Sequence, residues 1–135
     1  MPLENLISLT NLFRLHAVLG AIYALVILLF PREVIFLLSD ELISNVGTDV
    51  TRLFGAALAL VTILTWGASR LKDIEARRVI ALSLLVYTTL GAIITLLGQF
   101  VGTWNLFGWS SIVTYVIFVI GYAYFLFIRP EEAEK

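Results

Sequence analysis

"VIALSLLVYTTLGAIITLLGQFVGTWNLFGWSSIVTYVIFVIGYAYFLFI", residues 79–128, contains no Asp, Glu, Lys, Arg or His. A helix of a soluble protein turns a polar, charged face to water, and this stretch has no charge to build one from. It is interrupted once, at residues 98–109 ("GQFVGTWNLFGW"), by three glycines, an asparagine and two tryptophans. A bilayer core is crossed by about 20 apolar residues in a helix. The run therefore reads as two crossings, about 79–101 and about 109–128, joined by a tight turn. Glycines permit the turn, Asn105 can bond turn backbone, and the indoles of Trp104 and Trp109 suit the headgroup level. An interfacial turn is the favoured reading, ahead of a ligand-binding loop.

Working outward, two more stretches qualify: about 12–30 ("LFRLHAVLGAIYALVILLF"), stopped by Pro31, and about 50–68. Composition agrees. The chain of 135 residues is 60% hydrophobic and 14% charged, where soluble domains run to roughly 45–50% and about 25%; its mean hydropathy is +0.98. The expected fold is all-α: an integral membrane antiparallel four-helix bundle, one membrane domain over residues 1–135. A net charge of −1 offers no basic patch, so no nucleic-acid partner is expected. The absence of cysteine excludes disulfides, thiol catalysis and cysteine-held metals. A cleaved signal peptide is not expected either, since Glu4 stands where a basic segment would be and no small-x-small site follows.

Lysine and arginine in the short loops set orientation. Four crossings put Arg14, Arg70, Lys72, Arg77, Arg78, Arg129 and Lys135 on one side, and only Arg32 and Arg52 on the other. The expectation is a multi-pass protein of the cell membrane with both termini cytoplasmic. In the first outer loop, "REVIFLLSDELIS" (32–44) reads as a short interfacial helix with Val34, Ile35, Leu38 and Leu42 on its apolar face. Gly47 would end it, and Thr48 or Asp49 would cap the second crossing. A lid or partner-docking element is the alternative. The inner connection "SRLKDIEARR" (69–78) reads as a solvated helical turn with Asp73–Arg77 and Glu75–Arg78 at helical spacing, and "EEAEK" (131–135) as a short acidic tail. "VLGAIYAL" (18–25) matches "TLGAIITL" (89–96), and "RLHAVLGA" (14–21) matches "RLFGAALA" (52–59). The first match suits two helical hairpins related by duplication.

Helices in lipid associate through small residues and polar contacts, and each crossing has such a face. They are Ala17, Gly20, Ala21 and Ala24; Thr51, Gly55, Ala59 and Thr62; Thr88, Gly91, Ala92, Thr95, Gly98, Gln99 and Gly102; and Ser110, Thr114, Gly121 and Tyr124. One face equally suits a dimer contact. An intramembrane ionisable residue is a functional hypothesis by default, but the last three crossings hold no Asp, Glu or Lys. His16 is the one weak cofactor-binding candidate, as a ligand to a haem- or chlorophyll-type metal. The favoured reading is a hydrogen bond to a hydroxyl, from Tyr87 or a Ser or Thr on another helix. Arg14 and Arg52 are expected to snorkel to headgroups, Arg52 beside Asp49, with anionic-lipid binding as the alternative. Tyr115, Phe118, Tyr122 and Phe125 form an aromatic stripe that suits packing more than a quinone, carotenoid or sterol-like ring. No catalytic residue, metal or cofactor is assigned.

"TRLFGAALALVTILTW" (51–66) and "ARRVIALSLLVYTTLGAIITLLGQFVGTWNLFGW" (76–109) resemble small four-helix membrane proteins of bacteria and archaea, broadly DoxX-like. The resemblance spans about residues 12–128. It implies the four-helix bundle and carries over no catalytic or binding residue; Gly55, Trp66, Asn105 and Trp109 fall at pattern positions. The function expected is non-enzymatic: association with itself, a membrane complex or membrane lipid. Two alternatives stand beside it. One is a small channel or facilitator with a path through Thr62, Thr88, Thr95, Gln99 and Thr114. The other is a pigment or quinone binder through His16 and the aromatic stripe.

Overall fold

The computed structural model describes residues 8–130; Glu4, Lys135 and the acidic tail lie outside the described residues. Helix α1 (Leu9–Leu29) begins where the Ser8 hydroxyl accepts the Asn11 N–H, three residues before the expected start. It ends at Phe30 (φ −129°, ψ 53°) because a residue preceding proline is driven out of the helical region. Pro31 then opens α2 (Pro31–Ser39) at the first helical position, where its missing N–H costs nothing.

Helix α2 is shorter than the sequence suggests. Asp40 turns left-handed (φ 59°) and closes the helix by donating its N–H to the Phe36 carbonyl. Residues 41–44 are non-helical, so Leu42 leaves the apolar face and is 91% exposed. Helix α3 (Asn45–Ala68) is capped by Ser44, which accepts the Gly47 N–H, rather than by Thr48 or Asp49. Gly47 consequently lies inside α3 and does not terminate α2.

A turn over residues 69–73 leads to α4 (Ile74–Phe100), so "SRLKDIEARR" divides into a turn and the first helical residues. The Asp73 carboxylate caps α4 by accepting the N–H groups of Glu75 and Ala76. At its far end α4 stops in a Schellman arrangement. Thr103 N–H donates to Gly98 C=O, Gly102 N–H to Gln99 C=O, and Gly102 takes φ +76°, the conformation that favours glycine. Helix α5 (Gly108–Ala123) follows and runs on as a π-helical turn, Tyr124–Ile128.

Four helical segments, Leu9–Leu29, Asn45–Ala68, Ile74–Phe100 and Gly108–Ile128, are long and apolar enough to cross a membrane. The chain is a multi-pass helical membrane protein, and its spans alternate in direction as an up-down-up-down bundle. We call the end with the 69–73 turn the base, and the end with α2 and the 101–107 turn the crown.

The tightest packing is of α1 on α3 and of α4 on α5. Glycine permits both approaches. A Cβ on Gly20 would lie 2.7 Å from Thr62 Oγ1, and one on Gly91 2.5 Å from a Tyr115 ring carbon. Gly20 and Gly91 occupy matching places in the "LGAI" repeat, and each admits the following antiparallel span. Toward the base one core draws on all four spans, with Phe13, Ala68, Ala81, Leu84, Phe118 and Tyr122 at its centre. Toward the crown Ala24, Ile27 and Leu58 form a second cluster, flanked by Val34 of α2 and Tyr87 of α4. The face that α5 buries is Ile112, Phe118, Tyr122 and Phe125, most of the aromatic stripe, while Ser110 is exposed and Thr114, Gly121 and Tyr124 are half-buried.

Candidate functional site

His16 lies in the base core, 5% exposed. Its Nδ1 is 2.8 Å from the Tyr122 hydroxyl, and its ring stacks on Phe118 at a centroid distance of 4.1 Å and an interplanar angle of 21°. Phe13, one turn earlier on α1, packs its ring 5.9 Å from that of Tyr122. The hydroxyl partner expected for His16 is present, but it is Tyr122 and not Tyr87. Depth explains the choice. At 1.5 Å per residue, His16 is roughly 10 Å from the start of α1 and Tyr122 roughly 9 Å from the end of the π turn, while Tyr87 is roughly 20 Å into α4. Tyr87 therefore belongs to the crown cluster, edge-on to Tyr115, where its hydroxyl is buried with no hydrogen-bond partner.

Beneath His16, Arg77 ties the base together. It is 5% exposed although it lies in the first turn of α4. Nη1 donates to the carbonyls of Ala68 and Leu71 at 3.2 Å, and Nη2 to the Thr10 hydroxyl at 3.0 Å. Its guanidinium carbon sits 5.5 Å from the Phe13 ring centroid. One side chain thus donates to the last carbonyl of α3 and to a carbonyl of the turn that follows it, and joins α1, α3 and α4. The sequence offers Arg77 only as a helical-spacing partner for Asp73, whose carboxylate is committed to capping. Arg70, by contrast, lies over Trp66 at 4.9 Å.

A second polar group closes the crown. Asn105 donates its backbone N–H to Leu38 C=O at 2.7 Å, and its side-chain amide donates to Leu37 C=O at 3.0 Å and to the Asp40 carboxylate at 2.9 Å. Its side-chain oxygen accepts the Phe107 N–H, which is the turn-stabilising role expected of it. Arg32 donates to Thr48 and to Asn45, holding the start of α2 on the start of α3. Asp40 and Arg32 were legible only as polar residues of an outer loop, because nothing local shows which distant turn they meet.

The residues proposed for a polar path are distributed along the helices. Thr88 is fully buried, Thr62, Thr95, Gln99 and Thr114 are half-buried. Each threonine hydroxyl donates to the carbonyl four residues earlier on its own helix. The Gln99 amide nitrogen reaches the carbonyls of Trp104 and Asn105 at 3.3 Å, and its oxygen is buried without a partner. Arg14 is exposed near the base. Arg52, exposed near the crown, pairs with Asp49 at 3.8 Å. Among the described residues no three of His, Asp and Glu gather closely enough to hold a metal ion.

No curated protein and no solved structure matches the chain. One family model matches residues 2–128, almost the whole length that forms the spans and their connections, and the chain belongs to that family, DUF8292, described as a domain of unknown function.

Proposed function

We propose that the protein is a non-catalytic component of the cell membrane that acts by associating, through the outward faces of α3 and α4, with a second copy or a larger membrane complex. The observation that carries this reading is the uneven burial of the spans. In their most apolar stretches α3 and α4 have only 17% of residues buried, against 33% for α1 and 28% for α5. Leu53, Leu60 and Ile63 on α3, and Val86, Ile94 and Leu97 on α4, all lie more than half exposed. The polar groups at His16, Arg77 and Asn105 are engaged within the chain, so the interior is built for cohesion and the outward surface is what remains for partners. The DoxX-like resemblance adds the same architecture and no chemistry. Charge supports a cytoplasmic base, since the basic residues of the described chain concentrate there.

The chain has no cysteine, so single-cysteine variants report contacts without background. Leu60→Cys and Ile94→Cys are expected to form oxidative cross-links in native membranes, whereas Leu25→Cys on α1, also exposed, is not. Monomer alone from every position would overturn the reading.

A further inference from the structure

At the base, Leu9 of α1, Ile74 and Arg78 of α4, and Phe125, Leu126 and Pro130 at the end of α5 wall a shallow groove of about 20 Å³. The π-helical turn shapes it. By opening the last turn, it places the consecutive residues Phe125 and Leu126 both on the buried side, at 8% and 6% exposure. Such turns are rare and occur frequently at functional sites. Arg77 and Arg78 are adjacent in sequence and opposite in use. Arg77 is buried and committed to three elements, while Arg78 is exposed and, among the described residues, has no hydrogen bond or ion pair. Arg78 also directly precedes the charge-free run from Val79, which sets its guanidinium at the boundary between apolar and polar layers.

We propose that this groove seats one anionic phospholipid, its phosphate against Arg78 and the upper part of its acyl chains across Leu9, Ile74, Phe125 and Leu126. An apolar wall with a single cation at its edge matches an amphiphile. A free phosphate would find one donor and five apolar neighbours. The groove has room for little more than a water-sized group, so the chains lie over it and the headgroup charge supplies the selectivity. Among the described base residues, Arg14, Arg70, Lys72, Arg77, Arg78 and Arg129 outnumber Asp73 and Glu75, but Glu131 and Glu132 follow Pro130 in the sequence, so the attraction is assigned to Arg78 itself and not to the net charge of the base. The site is independent of whether α3 and α4 bind a protein.

The test is native mass spectrometry of the purified chain equilibrated in micelles holding equal phosphatidylglycerol and phosphatidylcholine. The wild type is expected to retain one phosphatidylglycerol in preference to phosphatidylcholine. Arg78→Gln should lower that retention about fivefold, the factor that corresponds to one basic residue near an anionic surface, and Arg78→Lys should keep most of it. Arg14→Gln, which removes an exposed cation outside the groove's lining, should lower it far less than Arg78→Gln does. Equal retention of the two lipids by the wild type overturns the proposal. So does an Arg14→Gln loss as large as that of Arg78→Gln, which would mean diffuse attraction by the whole base. Displacement of the lipid by inorganic phosphate would assign the site to a free anion and overturn it as well. Should Arg78→Gln fail to fold, the wild-type preference and the Arg78→Lys variant still decide.

Discussion

The hydroxyl of Tyr122 is fully buried, and its partner is the only histidine of the chain. Side-chain hydrogen bonds between transmembrane helices average about 0.6 kcal/mol and reach about 1.7 kcal/mol. Tyr122→Phe keeps the ring that packs on Phe13 and Phe118 and removes the hydroxyl alone, leaving His16 Nδ1 in an aromatic enclosure. The expected loss is about 1 kcal/mol of unfolding free energy in mild detergent. No loss on denaturant titration would show that the hydroxyl–imidazole pair contributes nothing net, and that stacking alone holds His16. Single residues such as this one mark where sequence reading reaches its limit. That His16 needed a hydroxyl followed from the cost of an unpaired polar group in the span. Which hydroxyl supplied it depended on the relative depth of α1 and α5, a property of the assembled bundle. Arg77 is harder still to read, because its partners include the carbonyls of Ala68 and Leu71, and backbone carries no sequence signature.

Among the elements, α2 depends most on a distant contact. It is nine residues long, below the length at which an isolated helix persists in water, and its end is set by Asp40 in the left-handed region. Asn105 reaches it from the 101–107 turn with bonds to Leu37, Leu38 and Asp40. Asn105→Ala deletes the side-chain bonds and keeps the backbone one. A net hydrogen bond is worth about 1 kcal/mol, so amide exchange over residues 31–40 should accelerate about fivefold or more. Asn105→Asp should do more, because it sets a carboxylate against that of Asp40. Unchanged exchange in both variants would show that Val34, the Arg32 contacts and the Asn105 backbone bond hold α2 without the Asn105 side chain. The four long apolar helices were legible, since length and hydropathy are summed over many positions; their starts were not, α3 and α4 beginning about five residues before the apolar stretches. Nor was the extent of α2. Its apolar spacing continues formally to Leu42, and the helix ends at Ser39 because a tertiary contact competes with that spacing and wins. The cap of α3 was misplaced for a related reason: Ser44, Thr48 and Asp49 all stand near its start, and Ser44 is the one that caps it.

At the scale of the whole molecule, the separation of charge between the two ends makes the sharpest claim. The bundle gathers Arg14, Arg70, Lys72, Arg77, Arg78 and Arg129 at the base, and leaves Arg32 and Arg52 at the crown. Both crown arginines are engaged locally, Arg32 with Thr48 and Asn45, Arg52 with Asp49. Orientation in the membrane follows the count of Lys and Arg in short loops, with acidic residues contributing little, so Asp49 does not weaken the argument. The base turn is only five residues long and carries Arg70 and Lys72, which places those charges where the rule acts most strongly. A cytoplasmic base predicts that Thr103→Cys, in the exposed crown turn, reacts with a membrane-impermeant maleimide in intact cells. Lys72→Cys should react only after the membrane is opened. The reverse pattern would place the base outside and would also move the Arg78 groove to the opposite leaflet. Labelling of both positions in intact cells would mean a mixed population. In that case the six-to-two imbalance would be too weak to orient four spans, and the outward faces of α3 and α4 would meet partners in either sense.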